Sequence, residues 1–204
     1  QLRVRRLLLD RSFVFSPAAV LRLPDLQATQ ARLNHLGIFP IYHIALRARP
    51  ESASAPGFDV DFHAVERDGF GNSRAQALIS TFGGAFYEPI YPSYYNIGRD
   101  AANLDSLLRW DSQKYRFWLS YSAPVRAFPQ LRWALATDDR DENWTIRRSF
   151  TGMAPALGSL NLQRETLSGS FTAVQSGRLS WSLGTELSHR AYRRVADGSA
   201  FTPA

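Results

Sequence analysis

Lys114-Tyr115-Arg116-Phe117-Trp118-Leu119-Ser120-Tyr121-Ser122 is the stretch on which the fold turns. Tyr115, Phe117, Leu119 and Tyr121 occupy alternate positions, while Lys114, Arg116, Ser120 and Ser122 occupy the others, with Trp118 among them. Successive side chains of a strand point to opposite faces, so this is a β-strand with one apolar face. Further strands follow the same rule. In residues 103–110, Leu104, Leu108 and Trp110 oppose Asn103, Asp105 and Arg109. In residues 130–136, Leu131, Trp133 and Leu135 oppose Gln130 and Arg132. Residues 165–174 alternate Leu167, Gly169, Phe171 and Ala173 with Ser168, Ser170 and Thr172. Residues 178–192 set Leu179, Trp181, Leu183 and Leu187 against Arg178, Ser180, Ser182, Glu186, Ser188 and Arg190.

The 204 residues carry 24 Lys+Arg and 18 Asp+Glu, a formal charge of +6, with 45% hydrophobic and 21% charged residues. That composition excludes a disordered chain and suits one or two domains. There is no cysteine, which removes disulfide scaffolds, thiol catalysis and Cys-ligated zinc. No apolar run approaches the roughly 18 residues of a membrane helix, although a membrane strand needs only about 10 alternating ones. The opening residues are short, mixed with arginine and lack an initiator Met; they read as no signal peptide, and the chain reads as an internal or processed piece. Lys114 is the only lysine, and the arginines are spread along the chain rather than clustered on one element. A nucleic-acid partner is not expected from that distribution.

Composition changes at Gly69-Phe70-Gly71-Asn72, before which there is no tryptophan. Ahead of that hinge lies one clear helix signal. Pro24 and Asp25 open it, Leu26, Thr29, Leu33 and Leu36 recur at helical spacing, and Gly37 closes it. Residues 2–9, 41–49 and 58–66 read as strands, residues 50–57 as a hairpin loop, and residues 16–23 as a short helix or turn. The expected order is strand, helical segment, helix, strand, strand, an α+β layer with a helix on a small mixed sheet. Behind the hinge the expectation is an all-β antiparallel sheet.

Alternation alone fits two environments. A soluble barrel or sandwich turns its apolar face inward; an outer-membrane barrel turns it to lipid and lines its lumen with the polar face. Three features favour the membrane case. The strand at residues 178–192 is long. Trp110, Tyr121 and Tyr192 are placed near strand ends, where interfacial girdles lie. The connections alternate between a short one at residues 175–177 and a long polar one at residues 137–163. The lipid-facing set is then Tyr115, Phe117, Leu119, Tyr121, Leu131, Trp133, Leu179, Trp181 and Leu183.

Residues 23–39, Leu-Pro-Asp-Leu-Gln-Ala-Thr-Gln-Ala-Arg-Leu-Asn-His-Leu-Gly-Ile-Phe, resemble the second helix of a POTRA domain, with its T-x-x-x-L-x-x-L-G-x-F pattern. Phe58-Asp59-Val60-Asp61-Phe62-His63-Ala64-Val65-Glu66 is similar to a final POTRA strand ending in Val-Glu. A β-rich region follows directly, so the chain resembles the BamA and TamA type of outer-membrane assembly factor. The resemblance implies a POTRA-like periplasmic domain at residues 1–68. It implies the first six or seven strands of a partial transmembrane β-barrel at residues 72–204, truncated and with an open last edge. The family's Arg-Gly-Phe or Arg-Gly-Tyr motif does not occur in this sequence.

Side-chain catalysis has no foothold. His35, His43, His63 and His189 form no H-E-x-x-H, and no G-x-S-x-G elbow occurs. His43 and His63 approach each other if their strands pair, in a solvated surface role. Asp138-Asp139-Arg140-Asp141-Glu142 lacks the glycine and distal glutamate of a calcium loop and reads as a solvated loop. No enzyme activity, metal or cofactor is expected.

The mechanism implied by the resemblance uses backbone hydrogen bonds and no ATP. Arg74, Ala75, Gln76, Ala77, Leu78, Ile79 and Ser80 would be the first barrel strand and its weak seam, with Gly83-Gly84 ending the run. Pro89 and Pro92 then remove ladder donors. A weakly paired strand can open and template an incoming one. Ile41, Tyr42, His43, Ile44, Ala45 and Leu46 form a candidate exposed edge for the same chemistry in the periplasm. The implied partners are unfolded outer-membrane β-barrel proteins, the lipid bilayer and assembly lipoproteins, at the bacterial outer membrane. The rivals are a POTRA-barrel secretion transporter, a barrel fused to a lipase domain, and a soluble β-barrel whose Tyr115, Phe117, Leu119 and Leu183 line a pocket for a small apolar ligand.

Overall fold

Pro24 and Gly37 bound helix α2, Leu23–Leu36, as their chemistry requires. Proline costs nothing where the first N–H groups have no partner. Gly37 takes the left-handed conformation, φ 70°, and its N–H closes on the Asn34 carbonyl. Ala28, Thr29, Leu33 and Leu36 are buried along one face. The computed structural model describes residues 2–16, 19–49, 57–70, 89–147 and 156–196.

The strand expected at residues 2–9 is not formed. The chain enters helix α1, Arg6–Ser12, instead. Leu7-Leu8-Leu9 has no alternation to hold it on a sheet. Leu8 and Ser12, four apart, share the buried face, and Ser12 Oγ donates to the Leu8 carbonyl at 2.9 Å. Strands β1, Ile41–Ala48, and β2, Phe58–Val65, pair antiparallel from Ile41↔Val65 to Ala48↔Phe58, a two-stranded sheet rather than a mixed one. Val4, Leu8, Leu33, Leu36, Ile38, Phe39 and Ala101 form the buried core, with Phe13, Tyr42, Ile44 and Phe62 packed against it. The expected loop at residues 50–57 lies outside the described residues except for Gly57, whose carbonyl accepts from Arg49 N at 2.9 Å. In the segment expected as a helix or turn at residues 16–23, Ala19 N donates to the Ser16 carbonyl at 3.2 Å.

Beyond the hinge the described residues form a meander of six antiparallel strands in sequence order. They are β3 Ser93–Ile97, β4 Ala102–Trp110, β5 Lys114–Val125, β6 Phe128–Arg147, β7 Ala156–Val174 and β8 Ser180–Ala196. Three expectations change here. The long polar connection at residues 137–163 is mostly strand: β6 and β7 pair from Leu131↔Ala173 to Arg147↔Ala156, leaving a short connection. The carboxylate cluster at residues 138–142 therefore sits within β6 and not in a loop. Tyr121 and Tyr192 lie inside β5 and β8, and only Trp110 ends its strand. Strand β3 carries no alternation to announce it. Among the described residues the sheet is not closed; β3 and β8 each have one strand neighbour.

The helical part is fastened to the end of the sheet where the turns are short. Arg5 N donates to the Arg99 carbonyl at 2.9 Å, and Arg11 Nη1 to the Arg126 carbonyl at 2.9 Å. Arg5 and Arg126 flank Asp100 at 3.2 and 2.7 Å. A Cβ at Gly177 would come within 2.6 Å of Gln27 Cβ, so the β7–β8 turn lies hard against α2.

Candidate functional site

The pairing register decides which side chains share a face, and it gathers the apolar positions of five strands on one side. Phe117 stands opposite Leu108, and Tyr121 stands opposite Leu104 on β4 and Leu135 on β6. Trp133 continues to Phe171, and Phe171 to Leu183; Leu131 continues through Ala173 to Trp181. Eight of the residues read as lipid-facing, Tyr115, Phe117, Leu119, Tyr121, Leu131, Trp133, Trp181 and Leu183, thus fall on this apolar face. Leu179 does not belong to a strand: it lies in the β7–β8 turn and accepts from Gln175 N at 3.0 Å. Higher on the same face Asp139, Glu165 and His189 stand in register, so the apolar belt gives way to polar groups towards the far end.

The opposite face carries the arginine–carboxylate pairs. Arg116 holds Asp138 with two bonds of 2.9 Å, and Arg140 Nη2 reaches the same carboxylate at 2.5 Å. Arg164 Nη2 reaches Glu186 at 3.1 Å. On β5, β6 and β7 exposure runs opposite to that of a soluble sheet, while on β8 both faces are exposed. Tyr115 is 56% exposed, Leu167 57% and Leu183 70%. The side chains of Arg116, Arg140 and Arg164 are only 32%, 30% and 28% exposed. A cleft of about 1110 Å³ does exist, between α1 and the β1–β2 hairpin, lined by Phe13, Phe58 and Phe62 together with Arg6, Arg49 and Asp59. It is not built from Tyr115, Phe117, Leu119 or Leu183, the residues a pocket for a small apolar ligand was expected to use.

A second candidate is the edge of β1, whose strand neighbour among the described residues is β2 alone. Arg49 N donates to Gly57 O, so by antiparallel alternation the odd residues of β1 turn their backbone groups to β2. Tyr42, Ile44 and Leu46 turn theirs to the free edge, while Tyr42 and Ile44 place their side chains on the core. Ile41, His43 and Ala45 hold the ladder. His43 and His63 are directly opposite and exposed. Among the described residues no group of three or more His, Asp or Glu could hold a metal. The seam strand, Arg74, Ala75, Gln76, Ala77, Leu78, Ile79 and Ser80, lies outside the described residues.

The junction between the helical part and the sheet carries polar residues that sequence reasoning missed. Asn96 Nδ2 donates to Glu66 Oε1, Asn103 Oδ1 accepts from Asn96 N at 3.2 Å, and Asn103 Nδ2 reaches the Leu36 carbonyl at 3.4 Å. Burial raises the Glu66 pKa, against the pull of the Arg3 and Val4 amides. Burial, and then the Arg132 charge, hold His35 below the ordinary imidazole range. No period or motif marks these residues, because their partners lie on other elements.

No family model and no curated protein sequence matches the chain. Its structure is similar to the crystal structure of BamA from Haemophilus ducreyi lacking POTRA domains 1-3, with a TM-score of 0.53 at 14% identity. The likeness covers 94% of this chain and 34% of that one, so the chain spans about a third of the structure it matches. At that identity the likeness is one of fold.

Proposed function

We propose that this chain is a piece of a bacterial outer-membrane assembly factor that inserts β-barrel proteins by strand templating. The inverted exposure on β5, β6 and β7 carries the reading. A contiguous apolar face of this extent is a liability in water and an asset in hydrocarbon. Lipid against the apolar face and water against the arginine face satisfy both. The fold likeness to a BamA structure supports the same environment. Residues 1–68 then act as a POTRA-like periplasmic domain and residues 72–204 as the first barrel strands.

Two backbone edges do the work. Unfolded outer-membrane β-proteins pair with the outward groups of β1 and are handed to a weak seam at residues 74–80. There, strand exchange replaces one set of hydrogen bonds with another and needs no ATP. Assembly lipoproteins and the bilayer complete the partner set.

Single-tryptophan versions of the full-length protein, folded into vesicles with bromine-labelled acyl chains, test the orientation. Trp133 and Trp181 are expected to be quenched, and Trp118, on the polar face opposite Leu107 and Asp138, is not. Quenching of Trp118 in place of Trp133 and Trp181, or stable folding in plain buffer with those rings buried, overturns the reading.

A further inference from the structure

Arginines that the sequence scatters between residues 109 and 190 meet in a single cross-strand row. Arg109 stands opposite Arg116, Arg116 opposite Arg140, Arg140 opposite Arg164, and Arg164 opposite Arg190. Five neighbouring strands thus each place one guanidinium on the polar face at the same level. At the usual strand spacing the row has a pitch of about 4.8 Å and runs for about 19 Å.

Like charges directly opposite one another repel, so the row needs anions. The chain supplies fewer than the row demands. Asp111 takes Arg109 at 2.8 Å, Asp138 is shared by Arg116 and Arg140, and Glu186 takes Arg164. Arg190 is exposed and has no carboxylate partner among the described residues. Among the described residues three carboxylates therefore pair with four of the five guanidiniums. In the next level Glu142 stands opposite Lys114, whose ammonium lies over the Trp144 ring at 4.9 Å, and the Glu142 charge also reaches Arg140.

We propose that this row is a binding strip for small soluble oxyanions, of the class of inorganic phosphate, on the wall of the aqueous lumen. The inference rests on the membrane orientation proposed above. The strip is on the face opposite the apolar belt, which directs it to water and away from lipid headgroups. The row is one residue high. On one side it is flanked by Leu107, Trp118, Thr166 and Ser188 apart from the shared Asp138, and on the other Leu162 and Tyr192 adjoin the Lys114–Glu142 pair. An extended polyanion would need positive charge over several levels, whereas a single oxyanion needs two adjacent guanidiniums with forked donors. The Arg164–Arg190 pair, where one side chain is free and the other half engaged, is the strongest position.

Unfolding of the full-length protein in zwitterionic detergent, followed in sodium phosphate and in sodium chloride at matched ionic strength, tests the strip. Phosphate is expected to raise the midpoint saturably by a few degrees over chloride, as a ligand of the folded state does. R190Q and R164Q should each lose at least half of that increment, and R178Q, in the β7–β8 turn and off the row, should keep it. Should R164Q fail to fold, R190Q still decides, because Arg190 holds no ion pair among the described residues. An increment equal in all variants, or none in the parent protein, overturns the strip. Either result leaves the tryptophan quenching pattern unchanged, whereas quenching of the polar face removes the orientation and the strip together.

Discussion

Arg132 belongs to β6 by sequence but ends helix α2 by chemistry. The last carbonyls of a helix have no partner within it. Arg132 Nη1 donates to those of His35 at 3.2 Å and Leu36 at 3.0 Å, and Nη2 to Ser122 Oγ at 2.8 Å. A cation at that end also suits the helix dipole. Arg132→Ala strands these acceptors at a cost of about 2–3 kcal/mol. Hydrogen-exchange protection of the last α2 turn should fall accordingly, and unchanged protection would sink the capping role. Beside it stands His35, half-buried, its Nε2 without a hydrogen-bond partner among the described residues. Burial first and the Arg132 charge second lower its pKa from 6.5. The unfolded chain thus takes up the proton at higher pH than the folded one. Stability is full above about pH 6.5 and declines as pH falls through the window below it. His35→Gln should flatten that decline in the exchange protection of α2; an unaltered slope would assign it to other groups. The sequence shows His35 as one of four histidines and Arg132 as a polar-face strand residue. Their meeting depends on where the helix lands on the sheet, which no local pattern encodes.

At the level of elements, legibility follows contrast. Helix α2 carries its own signals, Pro24 at one end and Gly37 at the other, and its bounds match. Residues 2–9 carry none, since a bare leucine run fits a buried strand and a helix equally; the backbone went to α1. The upper halves of β6 and β7 were read as loop because polar residues alternate there with polar residues. Their strand character comes from pairing, Arg140↔Arg164 and Asn143↔Asn161, and not from hydrophobicity. The candidate edge on β1 yields a test that separates client pairing from folding. Leu46→Pro removes an N–H that points to the free edge, whereas Ala45→Pro removes one that holds β2. Leu46→Pro in the full-length protein is therefore expected to retain the hairpin by circular dichroism and lose cross-linking to an unfolded β-barrel client. Ala45→Pro should lose both. Normal client cross-linking in Leu46→Pro would show that the edge is not used.

For the molecule as a whole, the alternation of each strand was legible but its alignment with the next was not. A one-residue slip between two strands would put leucines beside arginines. The register aligns Leu131, Ala173 and Trp181 on one side and Arg140, Arg164 and Arg190 on the other, and only then does a face exist. That two-sidedness makes the lipid reading vulnerable at a single pair of adjacent positions. Leu183 is 70% exposed on the apolar face, and Ser182, its chain neighbour, is opposite Thr172 on the polar one. A guanidinium facing hydrocarbon costs about 2–4 kcal/mol near the bilayer midplane and about 0–1 near its surface, while the lumen accepts it. Leu183→Arg should accordingly lower the folded fraction in vesicles several-fold, read as the heat-modifiable band on unheated gels. Ser182→Arg should leave that fraction within twofold of the parent protein. In a water-soluble body that order disappears, because Leu183 and Ser182 are both exposed and either would accept arginine freely. Equal tolerance at both positions, or greater tolerance at Leu183, would therefore turn the sheet around.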